Sequence, residues 1–210
     1  AMPECSWAQG AWKRCPAGTD KKSMYFVDSA NPRIVTKVWG DEYCTVVGEA
    51  PVPPQQVTSW NVKILSSKDN NGGRIYVGVA PADINCGNGV FNGNRCGWYF
   101  GCYSSTLCSG PPHSVQLKTY GPRKEGFGEY IRQWDSVGVT MDTTKGELSF
   151  TVGGADMGVA FDGIPLDRPL VPCGILFFKG DAVELDLTSR AQHSVVSASL
   201  SPPPNIQAIN

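Results

Sequence analysis

The most regular hydrophobic pattern in the chain spans residues 135–161, where apolar and polar residues alternate in three consecutive runs. The apolar members are Val137, Val139 and Met141, then Leu148, Phe150 and Val152, and finally Met157, Val159 and Phe161. Glycine-bearing turns at 143–146 and 153–156 separate the runs. Alternation with a period of two, interrupted by such turns, is typical of antiparallel strands with one buried face. The pattern therefore predicts a three-stranded meander with these apolar side chains buried.

The same criteria predict further strands on both sides of the meander. They fall at about residues 25–27, 33–38, 43–47, 57–65, 75–80, 97–103, 115–117, 170–178 and 182–187. We expect three of the connections to be hairpin turns, at 39–42, 66–73 and 179–181. No segment shows a sustained helical period with capping residues. About eleven short strands without a major helix predict an all-β fold, in which two antiparallel sheets pack as a bent β-sandwich.

Length and local composition predict one domain with two flanking segments. A chain of 210 residues is compatible with a single β-sandwich core. Residues 1–24 contain Trp7 and Trp12, and we expect this extension to pack on the sandwich. Residues 25–187 contain the predicted strands. From residue 188 to 210 serine, alanine, glutamine and proline predominate, which favours a tail or linker with little core-forming capacity.

Charge and cysteine content indicate a cellular compartment and argue against some kinds of partner. A net charge of −1 with scattered basic residues provides no field for nucleic acid or an anionic membrane. The chain has no signal-peptide pattern, no apolar run of membrane-spanning length and no Asn-X-Ser/Thr sequon. We therefore expect a cytoplasmic monomer with reduced cysteines. A disulfide stays an alternative, as does zinc at Cys86, Cys96, Cys102 and Cys108, although short paired cysteine spacings are absent.

In this order the strands resemble those of the SPRY domain family. The similarity is strongest in the meander, which contains V-G-V at 137–139, L-S-F at 148–150 and G-V-A-F at 158–161. Further matches are W-N-V-K-I at 60–64, Y-V-G-V-A at 76–80, G-W-Y-F at 97–100 and L-V-P-C-G-I-L-F-F at 170–178. Two departures, Trp134 and the Gly153-Gly154 pair, fall at loop positions. The resemblance implies a bent β-sandwich that recognises other proteins and has no chemistry of its own.

The resemblance also implies a binding site. In peptide-binding members, loops at one edge of the sandwich form a shallow preformed pocket, which by position would here use residues 49–55, 81–95 and 178–180. Apolar and aromatic residues in these loops would be anchors, and polar residues the rim. The candidate partner-binding residues are Glu49, Val52, Asp83, Asn85, Phe91, Asn92, Phe178 and Lys179. Phe178 aligns with a large aromatic residue of the SPRY-plus-SOCS-box adaptors, whose other pocket residues are not clearly matched. The structural alternatives are that Phe91 pins its loop and that Phe178 faces the core.

The residue inventory favours binding over catalysis. His113 and His193 are the only histidines, so few bases exist for a nucleophilic constellation. The acidic pair Asp135 and Asp142 lies at strand ends, where a structural role is expected. Phosphate-binding and dinucleotide-binding motifs are absent, and we predict no cofactor or metal. The predicted function is a non-catalytic module that binds another protein or a short peptide. The alternative is a lectin-like sandwich that binds carbohydrate through the Asn-rich segment 85–94.

Overall fold

The computed structural model describes residues 10–14, 24–68, 74–84, 97–102, 106–109, 118–119 and 135–187. These residues contain thirteen strands and no helix. The strands are β1 (Tyr25–Val27), β2 (Ile34–Lys37), β3 (Cys44–Val47), β4 (Val57–Ser66), β5 (Tyr76–Pro81), β6 (Trp98–Gly101), β7 (Thr106–Ser109), β8 (Lys118–Thr119), β9 (Ser136–Asp142), β10 (Glu147–Val152), β11 (Ala155–Phe161), β12 (Leu170–Leu176) and β13 (Ala182–Asp186). In the described ranges no helix has the length and apolarity that a membrane span needs.

Two antiparallel sheets form an open sandwich, which confirms the predicted fold class. The first sheet has seven strands in the order β1-β2-β13-β4-β9-β10-β11, and the second has six in the order β3-β12-β5-β6-β7-β8. Their inward faces pack against each other. The rings of Phe100 on β6 and Phe150 on β10, for example, lie 5.4 Å apart across the core. Removal of such apolar surface from water is the main stabilising term of a sandwich of this kind.

The predicted meander is present, and its first two strands follow the predicted alternation. Val137, Val139 and Met141 of β9 and Leu148 of β10 are fully buried. On β11 the expectation is wrong for Val159, whose side chain is 57% exposed. Pairing with β10 shifts register twice, and Gly158 adopts a φ of +81°, so a bulge turns Val159 outward. Met157, Ala160 and Phe161 pack against the core instead.

The three predicted hairpins are wrong, because each of the three connections crosses between the sheets. β2, β4 and β13 belong to the seven-stranded sheet, whereas β3, β5 and β12 belong to the six-stranded sheet. Glycine, asparagine and aspartate suit a sharp turn of either kind, so turn composition does not distinguish a hairpin from a crossing. The three crossings meet at one end of the sandwich, where Asp41 contacts both Lys68 and Lys179.

The described cysteines, Cys44, Cys102, Cys108 and Cys173, are buried, and none of them forms a disulfide. Cys102 packs in the same core as Trp98 and Phe100, as the strand alternation predicts. Burial raises the pKa of the Cys102 thiol to about 12, so this side chain is a small apolar core residue. The zinc alternative also requires Cys86 and Cys96, which lie outside the described residues.

Candidate functional site

The two ends of β12 separate the predicted site residues into two groups. At its start, Leu170 pairs with Pro81 of β5, two residues before Asp83. The Leu170 carbonyl oxygen accepts the backbone N–H of Val52, three residues after Glu49. At its end, Leu176 pairs with Cys44 of β3, and the chain continues directly to Phe178 and Lys179. Seven extended residues at about 3.3 Å each place these ends about 20 Å apart. The described parts of the three segments therefore do not converge into the single expected pocket.

At the start of β12, one of the candidate residues lies in the core. Val52 is only 5% exposed, although the sequence predicts an exposed anchor. Its burial follows from its backbone N–H, which donates to the Leu170 carbonyl oxygen at 2.7 Å and draws the loop onto the sheet. Glu49 and Asp83 are exposed, and the Asp83 carboxylate lies 3.5 Å from the Arg168 guanidinium. Asn85, Phe91 and Asn92 lie outside the described residues, as does the whole Asn-rich segment 85–94 of the lectin-like alternative.

At the end of β12, Phe178 belongs to a turn, and its side chain is partly buried. A fully buried carboxylate holds this turn in place. Asp181 Oδ2 accepts the backbone N–H groups of Phe177 at 3.2 Å and Phe178 at 2.8 Å. Its Oδ1 accepts the N–H of Lys68, from the β4–β5 crossing, at 3.2 Å. One buried side chain therefore joins two of the three crossings and orients Phe178.

A buried lysine organises the third crossing, between β2 and β3. Lys37 is fully buried, and its Nζ donates to the carbonyl oxygen of Trp39 at 2.7 Å. Burial lowers the pKa of Lys37, and the nearby anionic groups only partly oppose this effect. The Trp39 side chain is 49% exposed, which is high for an indole. The lysine thus holds the backbone of a crossing that presents a large aromatic side chain to solvent.

Asp41 links the β2–β3 crossing to the other two. Its carboxylate accepts the backbone N–H of Lys179 at 3.0 Å and the Nζ of Lys68 at 3.2 Å. These hydrogen bonds, the one from Lys179 first, hold the pKa of Asp41 below its usual value. Lys68 Nζ also lies 4.8 Å from the centre of the Phe178 ring, a distance suitable for a cation–π contact.

A cluster of aromatic side chains packs next to Phe178. The ring of Phe177 lies 4.8 Å from that of Phe178 and 4.7 Å from that of Tyr43, both edge-on. The guanidinium of Arg74 is 4.5 Å from the Phe177 ring centre. Burial raises the pKa of Tyr76, whose ring lies 6.1 Å from Tyr43, and keeps that phenol neutral. We define the end surface as Trp39, Asp41, Lys68, Phe178 and Lys179.

Sequence reasoning missed three of these five residues, namely Trp39, Asp41 and Lys68, as well as the supporting Lys37 and Asp181. A tryptophan in a polar turn was an available signal, because large apolar residues in turns are often binding anchors. The hairpin interpretation concealed it, since it placed residues 39–42 beside their own strands and far from Phe178.

A concave feature lies at the opposite end of the sandwich. It is a cavity of about 870 Å³, which we call the proline groove. Its lining residues are Pro51, Val52, Pro54, Gln55, Thr143, Thr144, Leu166, Asp167, Arg168, Pro169 and Leu170. The groove includes part of the predicted segment 49–55, but Thr143, Thr144 and residues 166–170 were not among the predicted site residues.

Asp142, one of the acidic pair considered for catalysis, holds the turn between β9 and β10. Asp142 Oδ1 accepts the backbone N–H of Thr144 at 2.8 Å, and the carboxylate lies 3.7 Å from Lys145 Nζ. Contacts to Thr144 and Lys145 outweigh desolvation and lower the pKa of Asp142. The carbonyl oxygen of Asp135 accepts the N–H of Ile64 on β4.

An antiparallel sandwich whose exposed aromatic and charged groups lie on inter-sheet connections is characteristic of recognition domains. The SPRY domain family model matches residues 57–189. The chain belongs to the SPRY domain family, whose members are generally protein–protein interaction modules without enzymatic activity. No curated protein matches the sequence.

Solved structures show the same fold. The SPRY domain of human HERC1 is 17% identical, with a TM-score of 0.59 over 80% of this chain and 94% of that one. A second human SPRY domain is 16% identical, with a TM-score of 0.55 over 80% and 98%. The PSpry domain of TRIM65 is 12% identical, with a TM-score of 0.52 over 78% and 85%. At these identities the similarity establishes the fold alone.

Proposed function

We propose that this SPRY domain binds a partner protein, or a short peptide segment of one, through the end surface. The observation that carries the proposal concerns Phe178. Its side chain is partly exposed, and its backbone N–H is held by the buried Asp181 carboxylate. Trp39 is presented in the same way on a backbone that Lys37 holds. Aromatic anchors whose backbone is fixed in advance lose little conformational entropy on binding, which favours affinity.

The groups around the anchors supply a polar rim. Lys68 and Lys179 are exposed cations, and Asp41 lies between them with both of its interactions satisfied within the domain. A segment that places an apolar side chain against Phe178 and polar groups near the lysines would match this surface. We also propose that the protein has no enzymatic activity and requires no cofactor.

The substitution Phe178→Ala tests the proposal. We expect the melting temperature to change by only a few degrees, because the turn is held by backbone hydrogen bonds and the ring is partly exposed. Partners recovered by proximity labelling and pulldown with the wild-type domain should be lost. Val159→Ala is the matched control, since Val159 is an exposed apolar residue on β11, away from the three crossings. Unchanged partner recovery with Phe178→Ala would refute the end surface as the binding site.

The chain organisation proposed here is a sandwich of residues 25–187 with an N-terminal extension before it and a tail or linker after it. We further propose a monomer in a reducing compartment such as the cytoplasm. The four described cysteines, which are buried and not disulfide-bonded, support the reducing compartment. Reaction of all eight cysteines with a maleimide in denaturant without reductant is the expected result. A protected pair would contradict it.

A further inference from the structure

Two chain segments form the walls of the proline groove, and backbone hydrogen bonds attach them to the sheets. One wall is the segment of residues 51–55 and the other is that of residues 166–170. The backbone N–H of Val52 donates to the Leu170 carbonyl oxygen at 2.7 Å, which joins the walls at the floor. The N–H of Ala82 donates to the Pro169 carbonyl oxygen at 2.9 Å and anchors the second wall to the end of β5.

Thr143, from the turn between β9 and β10, fastens the first wall. Its hydroxyl accepts the N–H of Gln56 at 3.0 Å and lies 3.0 Å from the Pro53 carbonyl oxygen, to which it can donate. Its backbone N–H donates to the Gln56 carbonyl oxygen at 3.1 Å. Gln55 between these contacts has a φ of +56°, the one left-handed conformation of a non-glycine residue in the described ranges. Together with three prolines, these contacts make the wall rigid before any ligand binds.

The groove surface is apolar at its base and acidic on one side. Pro51, Pro54, Pro169 and the 43% exposed Leu166 present apolar atoms, and Val52 and Leu170 form the floor. Of the two charged lining residues, Arg168 is engaged by Asp83 at 3.5 Å. Asp167 is exposed and has no ion-pair partner among the described residues. The carboxylate of Asp167 is therefore available to pair with a basic group of a ligand.

We propose that the proline groove is a second docking site, separate from the end surface, and that its occupant is an extended segment of another protein. This segment carries an aliphatic or proline side chain next to a lysine or arginine. The apolar side chain covers Val52 and Leu170, and the basic group pairs with Asp167. A cavity of about 870 Å³ lies within the common range for ligand sites and accommodates several residues of an extended peptide. Because the two sites lie at opposite ends of β12, one domain can hold two partners at once.

A charge-reversal selection tests the proposal. Random heptapeptides displayed on phage are selected in parallel on the wild-type domain and on Asp167→Lys. The expected wild-type pool is enriched in Lys or Arg beside Leu, Ile, Val or Pro, and the Asp167→Lys pool in Asp or Glu at the same position. A synthetic copy of the leading wild-type peptide should bind Asp167→Lys about fivefold more weakly, since an exposed ion pair contributes modestly.

Variants in the groove, on β11 and at the end surface show where the synthetic peptide binds. Leu166→Glu alters an exposed groove residue and should weaken the synthetic peptide about tenfold or more. Val159→Glu makes the same change at an exposed position of β11, and Phe178→Ala removes the end-surface anchor; both should retain wild-type affinity. Circular dichroism and melting temperature show whether each variant folds. If Leu166→Glu does not fold, Thr144→Lys, which places a positive charge at the groove rim and should repel the basic peptide, replaces it.

Several results would overturn the proposal. They are a selection without enriched peptides, enrichment without basic residues, the same consensus from both domains, and unchanged affinity for Leu166→Glu. Loss of binding in Phe178→Ala would assign the peptides to the end surface. Sedimentation showing dimers that Leu166→Glu dissociates would make a second copy of this chain the occupant of the groove.

Discussion

At the scale of single residues, the buried Asp181 carboxylate holds the backbone of the end surface. It accepts three backbone N–H groups, from Phe177, Phe178 and Lys68, in a region that water does not reach. A buried donor left without an acceptor costs about 1–3 kcal/mol, so one carboxylate stabilises both crossings. The sequence does not reveal this role, because an aspartate after Lys-Gly in a turn is expected in solvent.

Removal of this carboxylate should therefore be costly. We expect Asp181→Ala to lower the free energy of unfolding by about 3 kcal/mol, because three N–H donors lose their acceptor. Asp181→Asn, whose amide keeps one acceptor oxygen, should lose less. Urea denaturation monitored by tryptophan fluorescence measures both. Asp156→Ala, which removes an exposed carboxylate bonded to the Gly158 N–H at 2.9 Å, is the control and should cost under about 1 kcal/mol.

Lys37 leads to a prediction about pH. Because burial lowers its folded-state pKa below 10.5, the unfolded chain binds more protons between the folded pKa and about 10.5. The Lys37 contribution to stability therefore rises as pH increases through this window. Other groups titrate there as well, so the quantity to measure is the difference between wild type and Lys37→Met. Relative to Lys37→Met, the wild-type domain should gain stability from pH 8 to pH 10 in urea denaturation. A flat or falling difference would contradict the depressed pKa.

At the scale of elements, two glycines with similar φ angles have different surroundings. Gly146, in the β9–β10 turn, has a φ of +71°, and an added Cβ would lie 2.6 Å from the Ile164 carbonyl oxygen. Gly158, in the β11 bulge, has a φ of +81°, and nothing lies within 4 Å of an added Cβ. Gly146 thus allows a close approach between two segments, whereas Gly158 only bends an edge strand.

Substituting Gly146 and Gly158 separately distinguishes the cost of a strained backbone from the cost of steric overlap. Gly158→Ala should cost about 1 kcal/mol, the usual penalty for a side chain in the left-handed region. Gly146→Ala carries the same penalty together with a displacement of Ile164, and we expect a total of about 3 kcal/mol. Urea denaturation of the two variants gives the comparison. Equal losses would show that the contact between Gly146 and Ile164 is relaxed at little cost.

At the scale of the whole molecule, the ends of β12 create two surfaces joined by a stiff sandwich. Substitutions at sites this far apart, without shared contacts, normally have additive effects. We therefore expect the double variant Phe178→Ala with Leu166→Glu to lose stability equal to the sum of the single variants, within about 0.5 kcal/mol. Thermal or urea denaturation of the wild type, the two single variants and the double variant gives the coupling energy between the two sites. A larger coupling energy would show that the two ends communicate through the sheets.

The alternation of apolar residues was sufficient to predict much of the fold. It determined the two-sheet class, the strands of the meander and the burial of Val137, Val139 and Met141, because a period of two places alternate side chains on one face. It did not predict the outward position of Val159, since a bulge depends on how an edge strand meets its neighbour. The three prolines of the loop predicted an exposed Val52, whereas a backbone hydrogen bond to Leu170 buries this residue.

The features that follow from the sequence alone are therefore local: strand positions, inward faces, sharp turns and the family pattern of the scaffold. The choice of neighbouring strands, and with it the position of the two proposed binding surfaces, depends on the assembled fold. Three connections that suit hairpins are crossings between sheets, because pairing partners are chosen by packing across the whole core. Those crossings bring Asp41, Lys68 and Phe178 together, while Val52 and Asp83 lie at the opposite end of β12. Contacts between residues distant in the chain depend on the assembled sheets, and no local pattern encodes them.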